Sequence, residues 1–289
     1  MQAEYYKFSL PELFRNYRDL RALGIKAGFR KDIFKTCFFA LFLGRYGGAA
    51  KTVESAGFKV KYCTVESFLY LFREIFLMQA YWFVTENRSP FIIDCGANIG
   101  MASLYFKALY PGAEILAFEP DPESFANLRD NVSRGGLKGI VLRNEALLKE
   151  GGTVDLYYSG ESPGSLCAST LPARLPGPSK KVSAARLSGY ISREVDFLKI
   201  DIEGAETDVI AELASSGKLG FIKRMAVEYH HHIDARVDSL SVILGVLEEA
   251  GFGYQLSGGP QKPFKEARFQ DILIYAYNKK LVARPEKSS

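Results

Sequence analysis

The 289-residue sequence predicts an α/β fold built on an open, mostly parallel sheet. Three stretches predict it. Residues 91–103 (FIIDCGANIGMAS) read as a buried strand, a glycine turn and the start of a helix. Residues 113–121 (AEILAFEPD) read as the next strand, one βαβ length further on, ending in Glu119. Residues 195–206 (VDFLKIDIEGAE) read as another buried strand, followed by Asp201, Glu203 and Glu206. Short all-apolar runs suit parallel strands covered on both faces. Ligands of such sheets collect beyond the C-terminal strand ends.

Composition bounds the rest. The chain is 47% hydrophobic and 24% charged, an ordinary globular balance. A net charge of +4 is too mild to call for nucleic acid. The four cysteines, Cys37, Cys63, Cys95 and Cys167, form no C-x-x-C pair. That disfavours a disulfide framework or a zinc site and favours a reducing compartment. Residues 1–10 show no signal-peptide pattern, so a cytoplasmic location is expected. The longest strongly apolar run, residues 37–43, falls short of the roughly 18–20 a membrane span needs.

Residues 1–88 read as a helical extension or cap, 89–278 as the α/β domain and 279–289 as a polar tail. In the extension, helical patterns run from Pro11 through Leu20, over residues 32–43, and over residues 65–83 with Phe68, Phe72 and Phe76. Residues 1–88 hold 14 Lys/Arg and 8 Asp/Glu, a net of +6, so the remainder carries +4 minus +6, or −2. A basic, aromatic segment suits either a cap with solvated edges or peripheral contact with the inner face of an anionic membrane.

The turn after the first core strand is D-x-G-x-x-x-G, with Asp94, Gly96, Asn98 and Gly100. It is neither the dinucleotide G-x-G-x-x-G nor a phosphate loop, which needs a Lys. An acid there would repel a pyrophosphate but suits a cation, and S-adenosylmethionine fits. Glu119 is placed to accept from two ribose hydroxyls. Asp121 and Pro122 read as the cap of the next helix. Residues 139–147 read as a third strand, with Asn144 or Glu145 toward the adenine or in a plain polar turn. Residues 159–180, rich in Pro, Ser and Gly, read as a lid, a binding loop or disorder.

Asp201 is the candidate base or metal ligand, with Glu203 and Glu206 as alternatives for capping the following helix. Residues 221–232 read as a fifth strand carrying Glu228 and the chain's three histidines. Alternation assigns Glu228, His230 and His232 to one face, Tyr229 and His231 to the other. Acid/base work is favoured over metal. A helix over residues 239–250 and strands over 253–256 and 271–277 suggest a closing hairpin with one antiparallel strand.

IIDCGANIGMAS, AFEPD, FLKIDIEGAE and VEYH, in this order, resemble the FkbM family of S-adenosylmethionine-dependent methyltransferases over about residues 65–277. The resemblance implies a class I methyltransferase sheet of seven strands, order 3-2-1-4-5-7-6, with strand 7 antiparallel. It implies O-methylation of a sugar, glycan or polyketide-type hydroxyl. By motif, Asp94, Gly96, Asn98, Gly100 and Glu119 match the cofactor site, Asp201 and Glu203 the KID-x-EG motif, and Glu228 and His230 the VEYH motif; Asp201, His230 and Glu228 are the candidate catalytic residues, with Asp201 or His230 as the base. His231 and His232 depart from the pattern. A divalent metal at Asp201 is the less favoured alternative to a base, and a homo-oligomer is left open. A nicotinamide oxidoreductase and a non-catalytic membrane-surface protein are the rival readings.

Overall fold

The structure, a computed structural model, describes residues 15, 18, 20, 21, 27–43, 52–158, 168–233, 238–258 and 269–282. Ala27–Leu43 (α1) precedes a hairpin of Thr52–Ser55 (β1) and Phe58–Lys61 (β2). The hairpin corrects the all-helical expectation for residues 1–88. Ala56 and Gly57 take φ of +51° and +86°, the two-residue turn whose twist matches paired strands. Val65–Phe72 (α2) starts at Thr64, whose side chain accepts from the Ser67 N–H, and then widens into a π turn, Arg73–Leu77. The helix expected over 65–83 therefore stops early. The helix expected from Pro11 lies largely outside the described residues.

The remaining elements are Phe91–Cys95 (β3), Met101–Leu109 (α3), Glu114–Phe118 (β4), Pro122–Arg134 (α4) and Ile140–Arg143 (β5). They continue with Ala146–Leu147 (β6), Gly152–Tyr158 (β7), Ala168–Ser169 (β8), Ser179–Ala185 (β9) and Phe197–Ile200 (β10). Glu206–Ser215 (α5), Arg224–His231 (β11), Leu240–Glu249 (α6), Phe252–Ser257 (β12) and Gln270–Asn278 (β13) complete the chain.

The main sheet runs β5-β4-β3-β10-β11-β13-β12. The neighbours from β5 to β11 are parallel, whereas β13 is antiparallel to both β11 and β12. Numbered within this sheet, that is 3-2-1-4-5-7-6, the class I methyltransferase order. β10 is buried at every position and β3 at all but its first residue, as strands covered on both faces require.

Each sheet face has its own core. On one, Phe68, Phe72, Phe76 and Tyr81 join Leu104, Tyr105 and Phe106 of α3. Rings of Phe68, Phe72 and Phe76, four residues apart, stack at 5.9 and 5.4 Å between centroids. On the other, Val209, Ile210 and Leu213 of α5 and Ile243 and Leu247 of α6 pack on Ile93, Leu198 and Val227. The extension thus shares a core with the sheet rather than lying on it loosely.

A second sheet, β6-β9-β7-β8, was not anticipated. The third strand expected over 139–147 divides: β5 pairs with β4, while β6 pairs with β9. The expected loop 159–180 yields strands at 168–169 and from Ser179 onward; residues 159–167 lie outside the described residues. Asp121 caps α4 as expected, its Oδ2 accepting from the Ser124 N–H at 2.9 Å.

Candidate active site

The C-terminal ends of β3, β4, β10 and β11 form one rim. Asp94 lies beside Ala117 across the β3–β4 pairing and beside Lys199 across β3–β10. The turn after β3 is held from both sides. The Gly96 and Ala97 N–H groups donate to Phe118 O at 3.0 and 2.8 Å. A Cβ on Gly96, at φ +82°, would stand 1.7 Å from the Asp201 carbonyl oxygen, so only glycine lets the turn approach β10. Asn98 takes a left-handed φ of +49°, which Asn tolerates better than most residues.

Glu119 fastens this turn. Its Oε2 accepts from the Asn98 N–H and its Oε1 from the Asp121 N–H, both at 2.8 Å. Burial pushes its pKa up to about 8, against the pull of those two donors. Asn144 donates to the Glu119 and Pro120 carbonyls at 2.8 and 3.0 Å. Glu145 accepts from the Tyr190 hydroxyl at 2.6 Å.

Asp94 has no exposed surface. Its Oδ2 accepts from Ser103 at 2.7 Å, and its Oδ1 makes no hydrogen bond, with Lys199 Nζ 3.4 Å away. Lys199 interrupts the apolar β10 yet is 2% exposed. Its Nζ donates to Gly96 O at 2.7 Å and lies 3.3 Å from Asp201 Oδ2. Burial lowers its pKa, but Asp201, Asp94 and Glu228 more than reverse this, and the ammonium is held charged. A lysine inside a buried strand needs such partners; that was the sequence signal for its role.

Asp201 is partly open, its side chain 26% exposed. Tyr81, fully buried in the core, donates to Glu228 Oε2 at 3.2 Å and weakly to Asp201 Oδ2 at 3.4 Å. Nothing in the sequence marked Tyr81, because it comes from the extension. Glu228 and His230 both reach this cluster, as alternation predicts. His230 Nδ1 lies 2.9 Å from Glu206 Oε1, and its Nε2 is 3.4 Å from Glu203 Oε2 and 3.9 Å from Asp201 Oδ1. Burial lowers the imidazole's pKa, but Glu206 and Glu203 raise it well above the ordinary value. Glu206 also accepts from the Ile202 and Gly204 N–H groups. Arg174 forks onto Glu203 Oε2 at 2.8 and 3.1 Å. Burial and then Asp201 push Glu74, from the π turn, up to about 8.

His232 departs from alternation. Its φ of +60° turns the chain back, and its ring stands 3.7 Å from that of His231, away from the acids around His230. Two triads at the rim could hold a metal, Asp201–Glu203–His230 and Glu228–His230–Asp271, although Arg174 already occupies Glu203. Among the described residues no helix is long and apolar enough to cross a membrane.

Methyltransferase 1 of Beauveria bassiana is 31% identical over 168 residues, covering 50% of this chain and 66% of that protein. The 2-O-methyltransferase NoeI of Sinorhizobium fredii is 30% identical over 144 residues, covering 44% and 58%. The 31-O-demethyl-FK506 methyltransferase FkbM of Streptomyces tacrolimicus is 28% identical over 215 residues, covering 63% and 81%. The chain thus spans just under two thirds of the first of these relatives. A family profile described as the methyltransferase FkbM domain matches residues 94–254, which hold the glycine turn, Glu119, Asp201 and His230. The chain belongs to the FkbM-domain methyltransferases.

Proposed function

We propose that the protein transfers a methyl group from S-adenosylmethionine to a hydroxyl of a sugar, glycan or polyketide-like acceptor. Three features fit that cofactor. Asp94 Oδ1 is a buried acceptor without a hydrogen bond. Glu119, a buried carboxylate at the end of β4, is tied to the turn after Asp94 through the Asn98 N–H. The rim carries more acids than bases, as a cationic ligand prefers. Asp94, the backbone of residues 96–100 and Glu119 would hold it, with Asn144 and Glu145 bordering the adenine end. When bound, S-adenosylmethionine supplies an electrophilic methyl carbon.

The chain's own contribution is orientation and proton removal. The observation that carries the reading is the position of Asp201. Its Oδ2 is engaged by Lys199 and Tyr81, while Oδ1 lies 3.9 Å from His230 Nε2. Asp201 Oδ1 takes the acceptor hydroxyl's proton, and His230, pinned by Glu206, faces the charge there. A positioned base contributes on the order of 10²–10⁴ in rate, and orientation contributes more. The names of two relatives, a 2-O-methyltransferase and a 31-O-demethyl-FK506 methyltransferase, support an oxygen acceptor.

The test is Asp201→Asn, assayed by S-adenosylhomocysteine release with a panel of glycan and polyketide hydroxyls. Turnover is expected to fall by about 10²–10⁴, with S-adenosylhomocysteine affinity retained. Undiminished turnover would remove Asp201 as the base. Calorimetric binding of NAD in place of S-adenosylmethionine would overturn the whole reading.

A further inference from the structure

Three clusters of described residues place three metal-ligating atoms within 4.8 Å of one another. Two of them share His230 and belong to the rim described above. The third, His231–His232–Asp238, uses the two histidines that depart from the family pattern, and methyl transfer gives them no task. We propose that this third cluster is a site for a zinc-like divalent transition metal, separate from the methyl-transfer centre.

The geometry supports it in three ways. Asp238 Oδ1 lies 2.9 Å from His232 Nδ1 and 3.5 Å from His231 Nδ1. In a tetrahedral shell with ligands at about 2.05 Å, neighbouring donor atoms stand about 3.3 Å apart, a value the two distances bracket. Second, His232 Nδ1 is buried and makes no hydrogen bond, despite its closeness to the carboxylate. The pair is near without being aligned, as two donor atoms aimed at a common third point would be. Third, successive residues of a strand point to opposite faces. The left-handed φ at His232 cancels that and brings both rings to one side.

Two imidazoles and one carboxylate suit zinc and its neighbours in the first transition row better than magnesium or calcium, which prefer oxygen. The Asp238 side chain is 53% exposed, leaving access for the ion and a water. Bound there, the ion ties the end of β11 to the residue before Ser239, the N-cap of α6. Tyr229 already makes a weaker version of this tie, its hydroxyl accepting from the Ser239 N–H at 2.9 Å.

The test uses the untagged full chain, stripped of metal by chelator dialysis. Zn²⁺ is titrated by calorimetry, and Co²⁺ by its visible absorption. One ion per chain is expected, with the intense band of four-coordinate Co²⁺ and a rise in melting midpoint. His231→Gln/His232→Gln and, separately, Asp238→Asn should weaken binding at least tenfold and abolish the melting shift. The exposed Asp238→Asn variant guards against misfolding, and its metal-free melting should match the parent's. Asp201→Asn should leave the ion in place. Absence of binding below millimolar Zn²⁺, affinity unaffected by the His231, His232 and Asp238 substitutions, or loss of the ion in Asp201→Asn would each overturn the site.

Discussion

Glu119 is under opposing demands. Two backbone N–H groups favour its ionised form, while burial holds its pKa up to about 8. Ribose hydroxyls donating to it would also favour the ionised form. Binding near neutral pH should then release a proton, and affinity for S-adenosylhomocysteine should rise with pH through about 8. Calorimetry in two buffers of different ionisation enthalpy checks this. Glu119→Gln should bind at least tenfold more weakly and lose that proton release; an unchanged release would assign it to another group. Tyr81 makes a second residue-scale case. It has no charge to supply, yet its hydroxyl bridges Glu228 and Asp201. Tyr81→Phe leaves two acids without their shared donor but keeps the ring in the core. It should lower kcat more than it raises KM, with a stability loss of about 1 kcal/mol. Steady-state kinetics beside urea unfolding would separate this from a purely structural role, which would move only the unfolding curve.

Among the elements, β3, β4, β10 and their rim acids were legible because a buried parallel strand leaves a short apolar run and stops at a polar turn. The closing β12–β13 pair and the α6 helix were legible for similar reasons of period and cap. The hairpin β1–β2 was not, because Ala56 does not advertise the positive φ it adopts beside Gly57. Nor were β7 and β9, whose exposed positions carry Gly, Thr, Lys and Ser in consecutive runs that read equally well as loop. Lys199 was visible but unassigned, since its partners Asp94 and Asp201 come together only when β3 and β10 pair. The aromatic ladder of α2 was read correctly as a face, while its continuation into a π turn left no mark in the spacing. That ladder makes the extension part of the fold. Phe72 is fully buried between Phe68 and Phe76, so Phe72→Ala should cost about 3–5 kcal/mol and lower cofactor affinity with it. A loss under 1 kcal/mol in chemical unfolding would mean the extension packs independently. Gly96→Ala should be worse for function than for stability. Its Cβ would displace the carbonyl of Asp201 and with it the proposed base, so turnover should vanish in a chain that still unfolds cooperatively.

At the scale of the molecule, the rim concentrates more negative charge than it can neutralise internally. Lys199, Arg174 and His230 face Asp94, Glu119, Asp201, Glu203, Glu206 and Glu228, with Glu74 close by. The unliganded protein responds by holding protons. Burial raises the pKa values of Glu203 and Glu228, and of Glu119 and Glu74 to about 8. These groups lose their protons near pH 4.5 in the unfolded chain but keep them to higher pH when folded. Between those limits the folded state binds more protons, so stability must fall as pH rises. His230 acts in the same sense, since its contribution is present below its ordinary value and is lost as pH passes its raised one. The lowered acids, Glu114 and Asp130, sit at the surface beside Arg193 and Lys61 and are screened by solvent. Each buried carboxyl contributes on the order of 1 kcal/mol per pH unit within its window. Urea midpoints of the ligand-free protein should therefore decline from pH 5.5 to pH 8.5, opposite to a protein stabilised by ionised, paired carboxylates. Glu119→Gln, neutral at every pH, should flatten part of that decline. A midpoint that rises over this range would mean that these acids are ionised in the folded chain. The rim would then have no store of protons for a cationic ligand to displace.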